Sequence, residues 1–360
     1  MKCLFFTSGM TRGGAEHVIA TLSNYMVAMG HSVTILMIKG KDSEYDLDSR
    51  VELISAGLQP GLKNGLKALS FYSKVVDDLN PDAVISFTTK PNEIACAARF
   101  LGKAKAPLII SERSDPFNRN KTTQRICNAL FRQADLLVCQ SRQVERYYDG
   151  RVGSCLLTVI ENPLDISSVA DCVATARGPF VFTAGRLAPD KRHDLTIKAF
   201  SIVAENYPNL RLKICGAGDL SDELQALAAN VSNGDRIDFV GSIPKVAKTN
   251  ASASAFLFSS DSEGFPNALI EAVASGIPVV TTNFSPGTAS EVVKDGVNGY
   301  IVPCGDVASM AESLTRLLDN PPARSCLVDV AEAAKARFAT GFVVGQWMAA
   351  MQTMKGVKRG

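Results

Sequence analysis

The chain is predicted to be an α/β protein built from two Rossmann-like, doubly wound domains in series, on three observations. Its 360 residues favour two domains of ordinary size. Apolar runs of strand length alternate with segments of helical period, the pattern of parallel sheets covered on both faces. That rhythm lapses between Glu161 and Gly178 and then resumes. The expected layout is a first domain over 1–165, a linker over 166–178, a second domain over 179–338, and a C-terminal helical segment over 339–360. Two such domains place a cleft between the C-terminal edges of their sheets, where ligands of this architecture bind.

The elements follow in order. Runs rich in Leu, Ile, Val and Phe predict strands at 2–7, 32–38, 51–54, 83–87, 107–111, 135–139 and 156–160. Apolar spacing of three and four predicts helices near 15–29, 62–79, 91–101, 119–133 and 142–149. After the lapse, strands are expected near 180–184, 211–215, 236–240, 255–259, 278–281 and 299–302. Helices are expected near 192–205, 220–230, 245–251, 265–275, 288–294, 306–319, 323–337 and 341–353. Apolar residues make up 46% of the chain, ample for two cores. There is no short-period repeat and no low-complexity tract.

Charge and cysteine usage narrow the classes. Residues 1–160 carry 20 Lys and Arg against 15 Asp and Glu, and residues 161–360 carry 18 against 21, so a net of +2 hides halves of +5 and −3. The mildly basic first half suits an anionic membrane surface or an anionic acceptor. Nucleic acid is disfavoured, since no basic block interleaves with aromatics and no zinc-finger spacing occurs. The 9 cysteines are scattered and sit mostly in apolar runs, as expected of a reducing cytoplasm. The start of the chain reads as a strand and not as a signal peptide, and no run approaches the roughly 18 apolar residues of a membrane span.

Two motifs carry the chemistry. Arg186 and Lys191, five apart, follow the apolar run Pro179–Ala184. Alone they also read as a solvated loop pair. Two cations on a strand-to-loop edge suit a polyphosphate, because charge-assisted hydrogen bonds contribute about 1.5–3 kcal/mol each. Glu263 and Glu271, eight apart, flank Gly264-Phe265-Pro266-Asn267 between a strand and a helix. Glu263 falls near the helix start and faces a ligand there. Glu271, about two turns in, suits a pair of sugar hydroxyls. Exposed N–H groups at a helix start form an anion site without a metal. These parts together describe a nucleotide-sugar site.

Arg186-Leu187-Ala188-Pro189-Asp190-Lys191 and the Glu263 to Glu271 segment resemble the R-x4-K and E-x7-E hallmarks of retaining glycosyltransferases of the GT-B fold, family 4. Four further stretches keep the same register: Gly13-Gly14-Ala15-Glu16, Cys215-Gly216-Ala217-Gly218-Asp219, Phe239-Val240-Gly241 and Asp295-Gly296-Val297-Asn298-Gly299. The resemblance implies catalytic roles for Glu263, Arg186, Lys191 and, in the acceptor loop, Arg113. Arg186 and Lys191 stabilise the departing diphosphate, Glu271 accepts from the ribose, and Glu263 reaches the transferred sugar. Donor contacts are expected from Gly13, Gly14, Gly216, Gly218, Ile243, Gly264, Phe265, Asn267, Ala268, Leu269 and Glu271, largely through their backbone. Gly13 and Gly14 also read as a tight turn needing positive φ. Gly216 and Gly218 mark a close backbone approach, assigned here to the nucleotide. Asp261-Ser262-Glu263 superficially resembles a metal-binding D-x-D, but its place at a helix start implies no metal and no other cofactor.

In Ser111-Glu112-Arg113-Ser114-Asp115-Pro116, Arg113 stands where many relatives carry a histidine. It suits an anionic group such as an acceptor pyrophosphate, or else a surface network with Glu112 or Asp115. Glu16, Glu112 and Asp115 are the acceptor candidates. Lys63, Lys67 and Lys74 share one helical face that reads as solvated or as seated on an anionic inner leaflet, with Arg119, Lys121, Arg125 and Arg132 extending it. The SERSDP form and the GGAE start resemble the branch that assembles polyprenyl-diphosphate-linked glycans. The implied activity moves a hexose or N-acetylhexosamine from a UDP-sugar to a lipid-linked saccharide, on the cytoplasmic face of the membrane. A UDP-sugar epimerase of similar fold and a non-catalytic sugar-nucleotide-binding scaffold stay open as alternatives. The family's C-terminal helix commonly crosses back onto the first domain.

Overall fold

Strands such as Leu4-Phe5-Phe6 and Val84-Ile85 are apolar on both sides, which only a parallel sheet buried between helix layers can accommodate. The computed structural model describes residues 1–11, 13–59 and 62–356. The chain divides into two compact units, Met1–Pro163 with Thr340–Gly360, and Leu164–Ala339.

The first unit begins β1 (Lys2–Thr7), α1 (Gly14–Ala28), β2 (Ser32–Met37), β3 (Glu52–Ser55), α2 (Leu62–Leu79), β4 (Ala83–Phe87) and α3 (Thr89–Phe100). It continues β5 (Leu108–Ser111), α4 (Lys121–Phe131), β6 (Leu136–Cys139), α5 (Arg142–Tyr148) and β7 (Leu156–Val159). The second unit runs β8 (Phe180–Ala184), α6 (His193–Ala204), β9 (Arg211–Cys215), α7 (Ser221–Asn230), β10 (Ile237–Gly241), α8 (Val246–Thr249) and β11 (Ala255–Phe258). It ends α9 (Asn267–Ala274), β12 (Val279–Thr282), α10 (Ala289–Val292), β13 (Gly299–Val302), α11 (Val307–Asp319) and α12 (Arg324–Arg337). The last helix, α13 (Thr340–Gly356), belongs to the first unit.

The sheet orders are β3-β2-β1-β4-β5-β6-β7 and β10-β9-β8-β11-β12-β13, and every pairing is parallel. The expected doubly wound class is therefore found twice. Each order reverses once, between β1 and β4 and between β8 and β11. Loops leaving the C-terminal ends of those paired strands flank the crevice where such sheets bind ligands.

Both faces of each sheet are covered. In the first unit, Val18, Ile19 and Leu22 of α1 share one core with Val343, Val344 and Trp347 of α13, while Tyr72, Ile94, Phe131 and Tyr148 fill the other face. Trp347 is fully buried and stacks on Phe87 at 5.5 Å between centroids. In the second unit, Phe256, Leu269 and Val273 build one face, and Ile197, Phe200 and Leu314 the other.

Residues 166–178, expected as a linker, pack into the second unit, together with Leu164 and Asp165 from the end of the expected first domain. Leu164, Val169, Ala170 and Val173 are buried, the Leu164 N–H donates to the Phe338 carbonyl at 2.7 Å, and the Ala170 N–H to Ser275 Oγ at 3.1 Å. Their apolar spacing has no helical or strand period, so the segment was legible only as irregular. Among the described residues, no helix is long and apolar enough to cross a membrane.

Trp347 is the chain's one tryptophan and the centre of the α13 contact. Replacing a buried aromatic of this size by alanine costs about 3–5 kcal/mol. Trp347→Ala is expected to destabilise the first unit by about that amount in urea unfolding followed by circular dichroism. A change below about 1 kcal/mol would mean that α13 does not anchor that unit through this residue.

Candidate active site

The site of the second unit forms because β8 and β11 are neighbours, with Val181 opposite Ala255 and Phe182 opposite Phe256. The loop after β8 carries Arg186 and Lys191, and the loop after β11 carries Glu263. Lys191 Nζ donates to Glu263 Oε1 at 2.6 Å, with the two side chains only 16% and 12% exposed. The motif residues are thus brought into direct contact although 72 positions apart. Arg186 is different: its side chain is 75% exposed, and its nearest carboxylate is Asp190 at 3.9 Å.

Neighbouring groups fix these loops. Arg192 adopts a left-handed backbone, φ 51°, where the chain turns from the basic loop into α6. Its guanidinium holds Asp194 at 3.0 Å and Asp261 at 3.1 Å. Asp261 of the D-x-D-like triplet is therefore engaged by an arginine. His193 is buried, with Nε2 at 3.2 Å from the Arg186 carbonyl, and burial holds its pKa below the usual value.

Beside the ion pair lies a cavity of about 340 Å³ lined by Gly185, Arg186, Gly216, Ala217, Ile243, Asn267, Ala268 and Glu271, among others. Glu271 lies one turn into α9, not two, because the helix begins at Asn267. Phe265 is held in the core, edge-on to Phe338 at 5.8 Å, and Pro266 is extended at the helix cap. Leu269 is also fully buried, so it and Phe265 can meet a ligand only through backbone. Burial, reinforced by Asp165, pushes the Glu271 carboxyl up to about 7.

Gly216, which lines this cavity, and Gly218 both also pack closely against protein backbone. A Cβ on Gly216 would lie 1.9 Å from the Gly185 carbonyl oxygen, and one on Gly218 would lie 2.4 Å from that of Leu187. These glycines let the β9 loop press against the loop that carries Arg186. The expected close backbone approach is found, and on this side its partner is the neighbouring chain segment.

In the first unit, Gly13 and Gly14 do not form a positive-φ turn. Gly13 caps α1 with φ −169°, an extended conformation. Its N–H donates to the Tyr45 hydroxyl at 2.9 Å, and that hydroxyl donates to the Gly13 carbonyl at 2.7 Å. A Cβ there would sit 2.4 Å from Glu16 Oε2, so glycine makes room for the carboxylate folded over it. Burial raises the Glu16 pKa.

The acceptor-loop candidates turn inward. Glu112 is 1% exposed, and its Oε1 accepts from Arg119 at 2.8 Å, Thr89 Oγ1 at 3.2 Å, and the N–H groups of Arg113 at 2.9 Å and Ser114 at 3.0 Å. Asp115 is buried and accepts from the Phe117 N–H at 2.9 Å. Both carboxylates are buried, so the alternative reading of a surface network with the Arg113 guanidinium does not describe them. That guanidinium lies 4.9 Å from the Phe87 ring centroid and 5.9 Å from that of Trp347, with Nη1 donating to Asn162 Oδ1 at 2.5 Å. Its Nε and Nη2 are buried, with no hydrogen-bond partner among the described residues. Burial, opposed by Glu112, draws its pKa down to about 9.

The basic helical face is also revised. Arg119 is committed to Glu112, while Lys67, Lys74, Lys121, Arg125 and Arg132 stay exposed. Asp77 and Asp78 share the exposed side of α2, so that face is mixed in sign. The Lys63 side chain lies outside the described residues.

Sequence reasoning passed over Ser259 and Ser260, whose hydroxyls tie the two loops together, and Tyr45, which holds Gly13. A polar residue after a strand carries no signal of its partner; only the period of the strands, which places β11 beside β8, hints at one.

Residues 12–168 match the family described as Glycosyltransferase Family 4, and residues 173–336 match Glycosyl transferases group 1. A Campylobacter jejuni protein named GalNAc-alpha-(1->4)-GalNAc-alpha-(1->3)-diNAcBac-PP-undecaprenol alpha-1,4-N-acetyl-D-galactosaminyltransferase is 26% identical over 99% of both chains. A second from the same organism, N-acetylgalactosamine-N,N'-diacetylbacillosaminyl-diphospho-undecaprenol 4-alpha-N-acetylgalactosaminyltransferase, is 27% identical over 90% of this chain and 92% of its own. The crystal structure of Anabaena HepE in complex with UDP superposes with a TM-score of 0.79 at 20% identity, over 98% of this chain and all of that one.

Glu271 yields a pH test. Its folded pKa lies above the unfolded value, so its contribution to stability is fully present below about 4.5 and is lost as pH rises through about 7. If the carboxylate is a hydrogen-bond acceptor for a bound nucleotide, ligand affinity runs the opposite way. Calorimetric affinity for a UDP-sugar, whose own phosphates do not titrate in this range, is expected to weaken about 10-fold as pH falls through about 7, because a charged acceptor is replaced by a neutral one. Glu271→Gln should flatten the profile; an unchanged profile in that variant would remove Glu271 from the contact.

Proposed function

Because the chain belongs to the family 4 glycosyltransferases of GT-B fold, we propose that it moves a hexose or N-acetylhexosamine from a UDP-sugar to a polyprenyl-diphosphate-linked saccharide with retention of configuration. The observation that carries this reading is the Lys191–Glu263 contact at the β8–β11 crevice, beside a nucleotide-sized cavity edged by Arg186 and Glu271. The Campylobacter relatives support the acceptor class, and the HepE complex supports the choice of UDP.

The proposed chemistry follows from charge. The bond between the anomeric carbon and the donor's β-phosphate oxygen breaks, and negative charge gathers on that phosphate. Arg186 offers a planar fork to two phosphate oxygens, and Lys191 a mobile point charge. Preorganised cations at a developing anion lower the barrier. The acceptor hydroxyl adds on the face that the phosphate leaves, and its proton passes to the departing phosphate oxygen. Glu263 holds the transferred sugar near its hydroxyls and reacting carbon. The two protein cations supply the charge that a metal would, so no metal is required. The enzyme works at the cytoplasmic face of the membrane, where a lipid-linked acceptor is presented.

Purified protein should release UDP from one UDP-sugar only when a lipid-linked oligosaccharide extract is present, and should do so in EDTA. Arg186→Ala and Lys191→Ala are each expected to lower turnover by about 10²–10³-fold. Near-normal turnover in both variants would refute the assigned site. UDP-sugar consumption without any acceptor would point to epimerisation or hydrolysis, and tight donor binding without turnover to a binding role.

A further inference from the structure

Two adjacent serines after β11 organise the pair of charges in front of them. Ser259 and Ser260 are each 1% exposed. Ser259 Oγ accepts from Thr196 Oγ1 at 3.0 Å and donates toward the carbonyls of Lys191 at 2.9 Å and Arg192 at 2.8 Å, so it ties down the backbone of the basic loop. Ser260 Oγ donates to Glu263 Oε1 at 2.7 Å, the same oxygen that Lys191 holds at 2.6 Å. The Ser260 carbonyl accepts from Thr282 Oγ1 at 2.5 Å, which pins this residue to β12. Successive residues leaving a strand face opposite sides, which lets neighbouring hydroxyls serve two different loops.

We propose that Ser260 is the positioning residue that keeps Glu263 aimed at the transferred sugar once Lys191 has turned to the donor diphosphate; this rests on the functional reading above. Lys191 already faces Glu263 at 2.6 Å and Asp190 at 3.5 Å, and the donor diphosphate adds a third anion. Its ammonium sits at the end of four rotatable bonds and can follow charge, whereas the Ser260 hydroxyl hangs on a buried backbone that is itself held. When the donor arrives, the diphosphate draws Lys191 away from Oε1, and the hydroxyl stays. Glu263 then keeps its direction without keeping its cation. The carboxylate is then free to accept from sugar hydroxyls while its torsions remain restricted. A carboxylate free to rotate would reach the same sugar with a wrong geometry, and a misplacement of about 1 Å costs about 10²-fold in rate.

The test separates positioning from packing. Ser260→Ala is expected to lower kcat by about 10-fold to 100-fold while calorimetric affinity for the UDP-sugar stays within about 2-fold. Ser260→Thr, which retains the hydroxyl, should recover most of the loss. In a double-mutant cycle the cost of Ser260→Ala should vanish when Glu263→Gln is already present, since residues acting as one unit are not additive. Unchanged kcat in Ser260→Ala, or losses that multiply in the double variant, would overturn the proposal while leaving Glu263 in its role. Glu263→Gln at wild-type turnover would overturn both the proposal and the reading beneath it. Should melting curves show that Ser260→Ala is unfolded, Ser260→Cys removes the strong donor at similar volume and is judged by the same outcomes.

Discussion

The parallel pairing of β8 with β11 is the constraint on which the site depends. Strand order in a doubly wound sheet reverses where chain direction permits two loops to open side by side, and here those loops carry opposite charges. Val181, Phe182, Ala255 and Phe256 are buried at 1% exposure or less, so the register of the two strands is set by a dry core. That register delivers Lys191 to Glu263. An ion pair in so sheltered a place gains little net stability, because each partner loses hydration. Its consequence is local: removing either partner leaves the other charge half-sheltered with fewer donors or acceptors. The contact is therefore sensitive to the loss of one side.

Charge in the second unit is balanced loop by loop. Lys191 meets Glu263, and Arg192 meets Asp194 and Asp261. Arg186 stands apart, three-quarters exposed, with Asp190 at the edge of contact. Of the cations in these loops it is the one whose fork is least committed. Glu271 shows the opposite economy. Burial and Asp165 raise its pKa toward neutrality, so part of the carboxylate carries a proton at pH 7.

The alternation of apolar runs with helical segments made the class and nearly every element legible, because parallel strands covered on both sides must be apolar throughout. The basic and acidic motifs were legible as chemistry, since their charges sit where strand ends are expected. What lay beyond reach was the set of contacts that spans the chain. The polar run from Ser111 to Pro116 reads as an exposed loop, yet Glu112 and Asp115 are buried, because Arg119, seven residues further along the same loop, and Thr89 of α3 both meet Glu112. Gly216 and Gly218 signal a close approach, and a sequence does not say whether ligand or protein approaches. Ser259 and Ser260 look like ordinary loop polarity until β8 is placed beside them. Residues 164–178 have no regular period, and only tertiary packing reveals Leu164 and Val173 as core.

The first unit handles its loop by a different physics. Glu112 gathers four donors on one oxygen, and this charge-dense knot holds the backbone from Arg113 to Ser114 in place. Arg113 then leaves the knot and lies on aromatic faces, Phe87 from β4 and Trp347 from α13, with an amide oxygen as its hydrogen-bond partner. Cation–π contact of this kind compensates desolvation only in part, and burial accordingly pulls its pKa down to about 9. The guanidinium stays charged at neutral pH, and the nearby Glu112 carboxylate offsets part of the cost of its burial. The loop from Ser111 to Pro116 is thereby joined to the C-terminal helix through Arg113. A helix contributed by the end of the chain becomes a structural part of a loop encoded over two hundred residues earlier, which is why neither stretch could be understood from its own composition.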